Sequence, residues 1–179
     1  DDYAGITWSN APGDRKIFIG WMSNWAYAQD VPTDPWRSAC TVPRELTLVR
    51  VNDSLHVRSL VSPEIQYLIE ESKEHEQFTV NDSLDLTAGI GFPINTSVFE
   101  GSVEEKDFTI EFSNDLGQRI VIGYESAGNR YFIDRKGSGR TDFSKTFAGE
   151  ILAPRVGTGD IKFTVVLDVS SVEVFFDDG

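Results

Sequence analysis

The chain has 179 residues, a formal net charge of −13 and a single cysteine, Cys40. The acidity disfavours nucleic acid as a partner, because nucleic-acid binding depends on clustered Lys and Arg side chains that neutralise phosphates. One cysteine excludes an internal disulfide and any multi-cysteine metal site. No apolar run approaches the ~18 residues of a membrane span, so we expect no membrane insertion.

The first 60 residues alternate strand-like runs with turn formers. Residues 1–8 and 16–22 flank a turn cluster at 10–14, which predicts a β-hairpin. Residues 45–51 and 55–60 flank the sequence Asn52-Asp53-Ser54 and predict a second hairpin. Residues 29–37 carry two prolines and two aspartates, which predicts a loop of the kind that often builds binding sites.

The pattern changes after residue 60. Ser62-Pro63-Glu64 has the character of a helix start, so residues 61–76 are predicted to be a short helix or an irregular linker. Residues 77–179 contain strand-like runs with period-two apolar residues and frequent turn signals, which predicts an antiparallel β-sandwich. The apolar residues expected on buried faces are Phe108, Ile110 and Phe112; Ile120, Ile122 and Tyr124; Tyr131 and Ile133; Phe163, Val165 and Leu167; and Val172, Val174 and Phe176.

Four short blocks follow one another in the first 48 residues. They are Asp1-Asp2-Tyr3-Ala4-Gly5, Ile19-Gly20-Trp21-Met22-Ser23-Asn24-Trp25, Pro35-Trp36-Arg37-Ser38 and Pro43-Arg44-Glu45-Leu46. In this order they resemble D-x-Y-A, G-W-M-x-N-W, P-W-R-S and P-R-E-L of glycoside hydrolase family 32, the invertases, inulinases and levanases. The second and third blocks look more like the microbial exo-inulinase and levanase branch than the plant invertases.

The resemblance implies an all-β fold: a C-terminal antiparallel β-sandwich preceded by a fragment of a five-bladed β-propeller. Residues 1–60 would be the last part of the propeller, 61–76 a linker, and 77–179 the sandwich. The chain would be a piece of a longer enzyme, with its sandwich truncated near the last strands. The missing propeller blades of its own chain would then be a partner, and the parent enzyme would be secreted, periplasmic or attached to the cell surface.

The implied activity is retaining hydrolysis of β-fructosidic bonds in fructans (levan or inulin) or in sucrose, without metal or other cofactor. Retaining glycosidases use two carboxyl groups, one as nucleophile and one as acid. The family supplies them from N-D-P-N-G and E-C blocks, with a further Asp from an R-D-P block. None of the three blocks occurs in this sequence. We therefore assign no catalytic residue to the chain and expect it to be inactive by itself.

What the resemblance places here is part of the wall of a fructose pocket. Trp21 matches the tryptophan beside the subsite nearest the cleaved bond, where an indole can stack on a sugar ring and donate one hydrogen bond. Asp1 matches the Asp of D-x-Y-A and could accept hydrogen bonds from hydroxyls. Asn24 and Trp25 extend the site towards the following sugars. The alternatives are a propeller-core role for Trp21, packing for Trp25, and a backbone-binding role for Asp1 at a blade edge.

The remaining motif residues are predicted to serve architecture. Trp36 and Arg37 would stack and hold their loop to the blade, and Arg44 and Glu45 would form an ion pair where the propeller passes to the sandwich. The sandwich itself has two other interpretations, a carbohydrate-binding module or a purely structural or oligomerisation unit. A binding module would show exposed aromatic residues on one face, and no tryptophan follows Trp36.

Overall fold

The computed structural model describes residues 2–179. Twelve β-strands and two short 3-10 helices, Pro12–Asp14 and Pro63–Leu68, are present in that range. The strands are β1 (Tyr3–Thr7), β2 (Ile17–Met22), β3 (Ala39–Cys40), β4 (Arg44–Val51), β5 (Ser54–Val61), β6 (Thr96–Val103), β7 (Phe108–Ser113), β8 (Arg119–Glu125), β9 (Arg130–Asp134), β10 (Glu150–Pro154), β11 (Ile161–Asp168) and β12 (Ser171–Phe176). The expectation of an all-β chain is confirmed.

The strands form three antiparallel sheets. The first has the order β1-β2-β4-β5, with β3 paired to β2. Its two hairpins, β1–β2 and β4–β5, are the two predicted from the turn clusters. The second sheet has the order β10-β9-β8-β7, and the third β12-β11-β6.

The second and third sheets pack face to face, as a sandwich requires. Their shared core contains Tyr124 and Tyr131 from the second sheet and the fully buried Ile161 from the third. The Tyr131 ring stacks on Phe176 with centroids 4.1 Å apart and planes inclined by 8°. Alternating residues therefore do bury one face of each sheet, and residues 77–179 contain no helix.

An irregular segment joins the first sheet to the sandwich. β5 ends at Val61, the 3-10 helix ends at Leu68, and no strand begins before Thr96. The predicted helix is thus a six-residue 3-10 turn, and irregular chain continues past residue 76. The division into 1–60, 61–76 and 77–179 stays a prediction.

The predicted ion pair between Arg44 and Glu45 is wrong. Consecutive residues of a strand point to opposite faces of the sheet, so the two side chains diverge. Arg44 pairs with Asp2, and Glu45 accepts a hydrogen bond from Arg15 Nε at 2.8 Å.

The sandwich contacts the first sheet and its loops at several places. Tyr27 is buried between the loop after β2 and the second sheet, where its ring lies 5.4 Å from Phe147 and 5.7 Å from the Arg135 guanidinium. On the other side, Ser59 of β5 donates a backbone hydrogen bond to Gly179 beyond β12 at 3.0 Å. These contacts hold the sandwich beside the end of the first sheet that carries the motif residues.

Candidate sugar-binding site

Three aromatic rings meet at the end of the β1–β2 hairpin. Register pairs Tyr3 of β1 with Trp21 of β2, and their rings meet edge to face at 6.2 Å. Trp25, after β2, lies 5.0 Å from Trp21 with the planes tilted by 54°. Tyr3 is 54% exposed and Trp25 is 64% exposed, whereas Trp21 is partly buried between them. The cluster offers a continuous aromatic surface to solvent.

A tight turn fixes the position of Trp25. Asn24 accepts a hydrogen bond on Oδ1 from the Ala26 N–H at 2.8 Å, and its carbonyl accepts another from the Ala28 N–H at 2.8 Å. The preceding residue, Ser23, is buried and donates its N–H to the Trp21 carbonyl at 2.9 Å. One role of Asn24 is thus structural, because its side-chain amide oxygen accepts a backbone hydrogen bond within the turn.

A cavity of about 300 Å³ opens beside these rings and is lined by Asp2, Tyr3, Ser23, Asn24 and Trp25. That volume lies at the lower end of the range of ~300–1,000 Å³ for small-ligand pockets. Ring faces can pack on sugar C–H groups, while the carboxylate, hydroxyl and amide can satisfy hydroxyl groups. The arrangement is suited to binding a polyol.

Asp2 has a structural role as well. Its carboxylate pairs with Arg44, whose guanidinium lies 4.8 Å from the centre of the Phe18 ring. A Cβ atom at Gly20 would lie 1.7 Å from Asp2 Oδ1, so the carboxylate occupies the space that a side chain at Gly20 would fill. The motif glycine before Trp21 therefore leaves room for the Asp2 carboxylate, which a larger residue at position 20 would displace.

The structure thus brings together three of the four predicted site residues, Trp21, Asn24 and Trp25. Asp1 lies outside the described residues. Tyr3 and Asp2 were not among the residues selected from the sequence. Tyr3 could have been found from the D-x-Y-A block, since the hairpin places its third residue opposite Trp21.

The Arg37 side chain closes the loop that carries Trp36 and Arg37 by binding backbone carbonyls of the same loop. The Arg37 guanidinium donates to the Thr33 carbonyl and, at 3.2 Å, to the Trp36 carbonyl. Its hydrogen bonds therefore hold the loop together, in place of the predicted attachment of the loop to the blade. Trp36 is exposed.

Within residues 2–179 no group of three or more His, Cys, Asp or Glu side chains is placed to hold a metal ion. Over the same range no helix is long and apolar enough to cross a membrane.

Family models match the whole chain. The model of the glycosyl hydrolases family 32 N-terminal domain matches residues 1–59, and that of the family 32 C-terminal domain matches residues 54–179. A levanase of Bacillus subtilis is 35% identical over 189 residues, which cover 100% of this chain and 28% of the relative. An extracellular exo-inulinase of Aspergillus niger is 31% identical over 187 residues, covering 98% of this chain and 34% of the relative. The chain thus spans about a third or less of the length of these relatives.

Solved structures show the same architecture. The exo-inulinase of Aspergillus awamori superposes on all of this chain with a TM-score of 0.69 and 23% identity, over 36% of its own length. A fructofuranosidase of Schwanniomyces occidentalis, solved with fructose, gives a TM-score of 0.69 and 22% identity, over 40% of its length. These likenesses confirm the propeller and sandwich fold.

Proposed function

The chain belongs to glycoside hydrolase family 32, and from that premise we propose that its parent protein, the longer chain of which this sequence is a part, hydrolyses β-fructosidic bonds. The substrates would be fructans such as levan or inulin, or sucrose. Relatives named levanase and exo-inulinase, each aligned over almost all of this chain, support a fructan over sucrose alone.

The observation that carries the proposal is the cavity lined by Tyr3 and Trp25, whose rings both contact Trp21. Its rings and polar groups match what a fructosyl unit needs. In this proposal Trp21 contacts the fructose at the cleaved bond, and Asn24 and Trp25 contact the next sugar. Asp1 would supply a further acceptor for hydroxyl groups. No metal or cofactor takes part.

The chemistry would be supplied by the parent protein's other segments. Two carboxyl groups ~5–5.5 Å apart would form and hydrolyse a covalent fructosyl-enzyme with net retention. The residues of this chain would orient the substrate, an effect that can contribute several powers of ten to the rate.

The experiment is a rate comparison in the parent protein. Trp21→Ala should lower kcat/KM for levan, inulin and sucrose by ~10–1000-fold while the protein stays folded, because positioning is lost and the carboxyl groups are kept. Tyr67→Ala is the control, since this aromatic side chain is 89% exposed and lies outside the cavity and the cluster of Tyr3, Trp21 and Trp25. A wild-type protein with no fructosidase activity, or Trp21→Ala kinetics within twofold of wild type, would contradict the proposal.

The remaining propeller blades would be the sheet's partner. The first sheet exposes apolar side chains at Ile6, Trp8, Leu48, Leu55 and Val57, and we expect adjacent parts of the propeller to cover them. A fluorescent dye specific for exposed apolar surface should therefore bind this chain more strongly, per mole, than the parent protein. Equal binding would contradict this arrangement.

The parent protein would be secreted, or held in the periplasm or at the cell surface. Support comes from relatives named extracellular exo-inulinases. Activity found in the cytoplasmic fraction of the source cells, with none outside, would contradict it.

The alternative of a sandwich that binds carbohydrate by itself lacks its expected feature. No Phe or Tyr ring of residues 96–179 is exposed. An aromatic platform of the kind that lectin-like modules use is therefore not formed there.

A further inference from the structure

A carboxylate of the sandwich reaches the segment that supports Trp21. Glu173, on β12, accepts a hydrogen bond on Oε1 from the Val42 N–H at 2.8 Å. The two residues are 131 positions apart, so the contact exists only because the sandwich sits beside the first sheet.

Val42 follows Thr41, which binds the backbone of β2 next to Trp21. Thr41 is buried and holds both backbone groups of Gly20: its N–H donates to the Gly20 carbonyl at 2.9 Å, and its Oγ1 accepts from the Gly20 N–H at 2.9 Å. Cys40, one residue earlier, pairs with Trp21 in the sheet. A shift of residues 40–42 would therefore move Gly20 and the indole that follows it.

A groove lies between this segment and the sandwich. A cavity of about 230 Å³ adjoins Glu173 and is lined by Asp2, Met22, Thr41 and Arg44 from the first sheet, with Phe175 among the residues from the sandwich. Side chains that line this groove lack close-packed neighbours on that side and have room to move. The hydrogen bond that Glu173 accepts from the Val42 N–H links the sandwich to the first sheet beside the groove.

The environment of Glu173 suits a fixed acceptor. Burial raises the pKa of its carboxyl group, while the Val42 N–H and the nearby Arg44 oppose that shift and the Asp2 carboxylate adds to it. Losing this acceptor would leave the Val42 N–H without a protein partner at a partly buried interface, and an unpaired buried donor costs more than its bond contributes when made.

Resting on the proposed function, we propose that Glu173 is a positioning residue for the sugar-binding site. Through Val42, Thr41 and Gly20 it sets the position of Trp21 against the fructosyl unit. The β12 edge of the sandwich would then support the sugar-binding site by holding the pocket wall in position.

The test uses four variants of the parent protein. Glu173→Ala should lower kcat/KM for fructan ~10–100-fold, the range expected when a binding group moves by about 1 Å. Glu173→Gln keeps an acceptor oxygen and should stay within about threefold of wild type. Thr41→Val removes the Oγ1 acceptor and should reproduce the loss. Glu111→Ala, an exposed acid of β7 on the same sandwich, is the matched control and should have no effect.

Two measurements separate positioning from general stability. The Glu173→Ala and Thr41→Val losses should be non-additive, because both act on Gly20. Hydrogen exchange should also speed up in peptides spanning residues 18–42 of Glu173→Ala, with no change in peptides of β7 and β8. If Glu173→Ala does not fold, two other variants test the positioning role. Thr41→Val should still show faster hydrogen exchange in residues 18–42 and a lower kcat/KM, and Glu173→Gln should keep a kcat/KM close to that of wild type.

The outcomes distinguish this proposal from the one on which it rests. If Glu173→Ala speeds up hydrogen exchange only in residues 18–42, but the wild-type parent protein has no fructosidase activity, the link from Glu173 to Gly20 is supported and the proposed function is overturned. If the parent protein is active but the kcat/KM of Glu173→Ala equals that of Glu111→Ala, the positioning role alone is overturned. The same holds if Glu173→Gln loses as much kcat/KM as Glu173→Ala.

Discussion

Arg155 is the cation whose removal should cost the sandwich most. Its side chain is 0% exposed, and it binds Asp177 through Nε at 2.8 Å and the Gly159 carbonyl through Nη2 at 2.7 Å. Its Nη1 lies 3.2 Å from Glu105, and the guanidinium lies 5.4 Å from the Tyr124 ring in the core. The substitution Arg155→Met keeps the apolar stem and removes the charge.

The magnitude follows from what remains after the change. Removing one partner of a buried ion pair typically costs ~3–5 kcal/mol, because the other charge is left uncompensated. Here Asp177 is 22% exposed and Glu105 is 44% exposed, so water can partly replace the guanidinium. We expect a loss of ~2–4 kcal/mol in the free energy of unfolding. For a chain of this size that corresponds to a fall in Tm of roughly 4–16 °C.

The assay is urea and thermal unfolding followed by far-ultraviolet circular dichroism. Arg119→Met is the control, because Arg119 is 62% exposed and lies 3.6 Å from Glu111. Such surface pairs contribute little, so the control should change the unfolding free energy by less than ~1 kcal/mol. Arg155→Met combined with Asp177→Asn should cost less than the sum of the two single changes. A loss for Arg155→Met no larger than for Arg119→Met would show that the buried guanidinium does not stabilise the sandwich.

Three further predictions concern stability, pH and activity. Gly123→Ala should destabilise the sandwich by a few kcal/mol, as overpacking does, because the new Cβ would lie 2.2 Å from the Phe108 carbonyl oxygen. Gly91→Ala is the control in the same unfolding assay, because the space around Gly91 is open. Equal losses of unfolding free energy in the two variants would contradict the packing argument. Arg15 lowers the pKa of Glu64 from 4.5 to about 2, so the stabilisation from Glu64 is present above pH 4.5 and is lost as the pH falls towards 2. Wild type should therefore exceed Glu64→Gln in stability at pH 7 and lose that advantage with acidification, and a pH-independent difference in urea midpoint would disprove the assignment. Finally, the 179-residue chain by itself should release no reducing sugar from levan, inulin or sucrose at high protein concentration. The active parent protein is the positive control. If the chain is active and changing one of its own carboxylates abolishes that activity, the active site lies elsewhere than we place it.

Local patterns in the sequence were sufficient for most strands. Period-two apolar residues identified β7, β8, β9, β11 and β12, and turn clusters identified both hairpins of the first sheet. These features depend on nearest neighbours along the chain, since side chains alternate between faces of a strand and turn residues set the backbone locally. The order of the four motif blocks likewise identified the family and the part of it that is present.

Three strands, β3, β6 and β10, were not predicted, and for β6 and β10 the missing signal comes from the partner strand. β6 contains Gly101, which is unfavourable in an isolated strand, but the Phe163 ring of β11 covers it, with a built Cβ only 2.6 Å from the ring. β10 is an edge strand that ends at Pro154, where the lack of an N–H is tolerated. In both cases the neighbouring strand supplies what the local sequence lacks.

Sequence patterns were sufficient for the all-β class and the family, and they predict Trp21, Asn24 and Trp25 as site residues. Three contacts became visible only in the folded chain: Arg44 pairs with Asp2 in place of Glu45, Tyr3 completes the aromatic surface, and Glu173 reaches Val42. Strand periodicity fixes which face a side chain occupies, but not which distant group shares that face. The choice of partner depends on how the sheets pack, because contacts between residues far apart in the chain form only when the packing places them side by side.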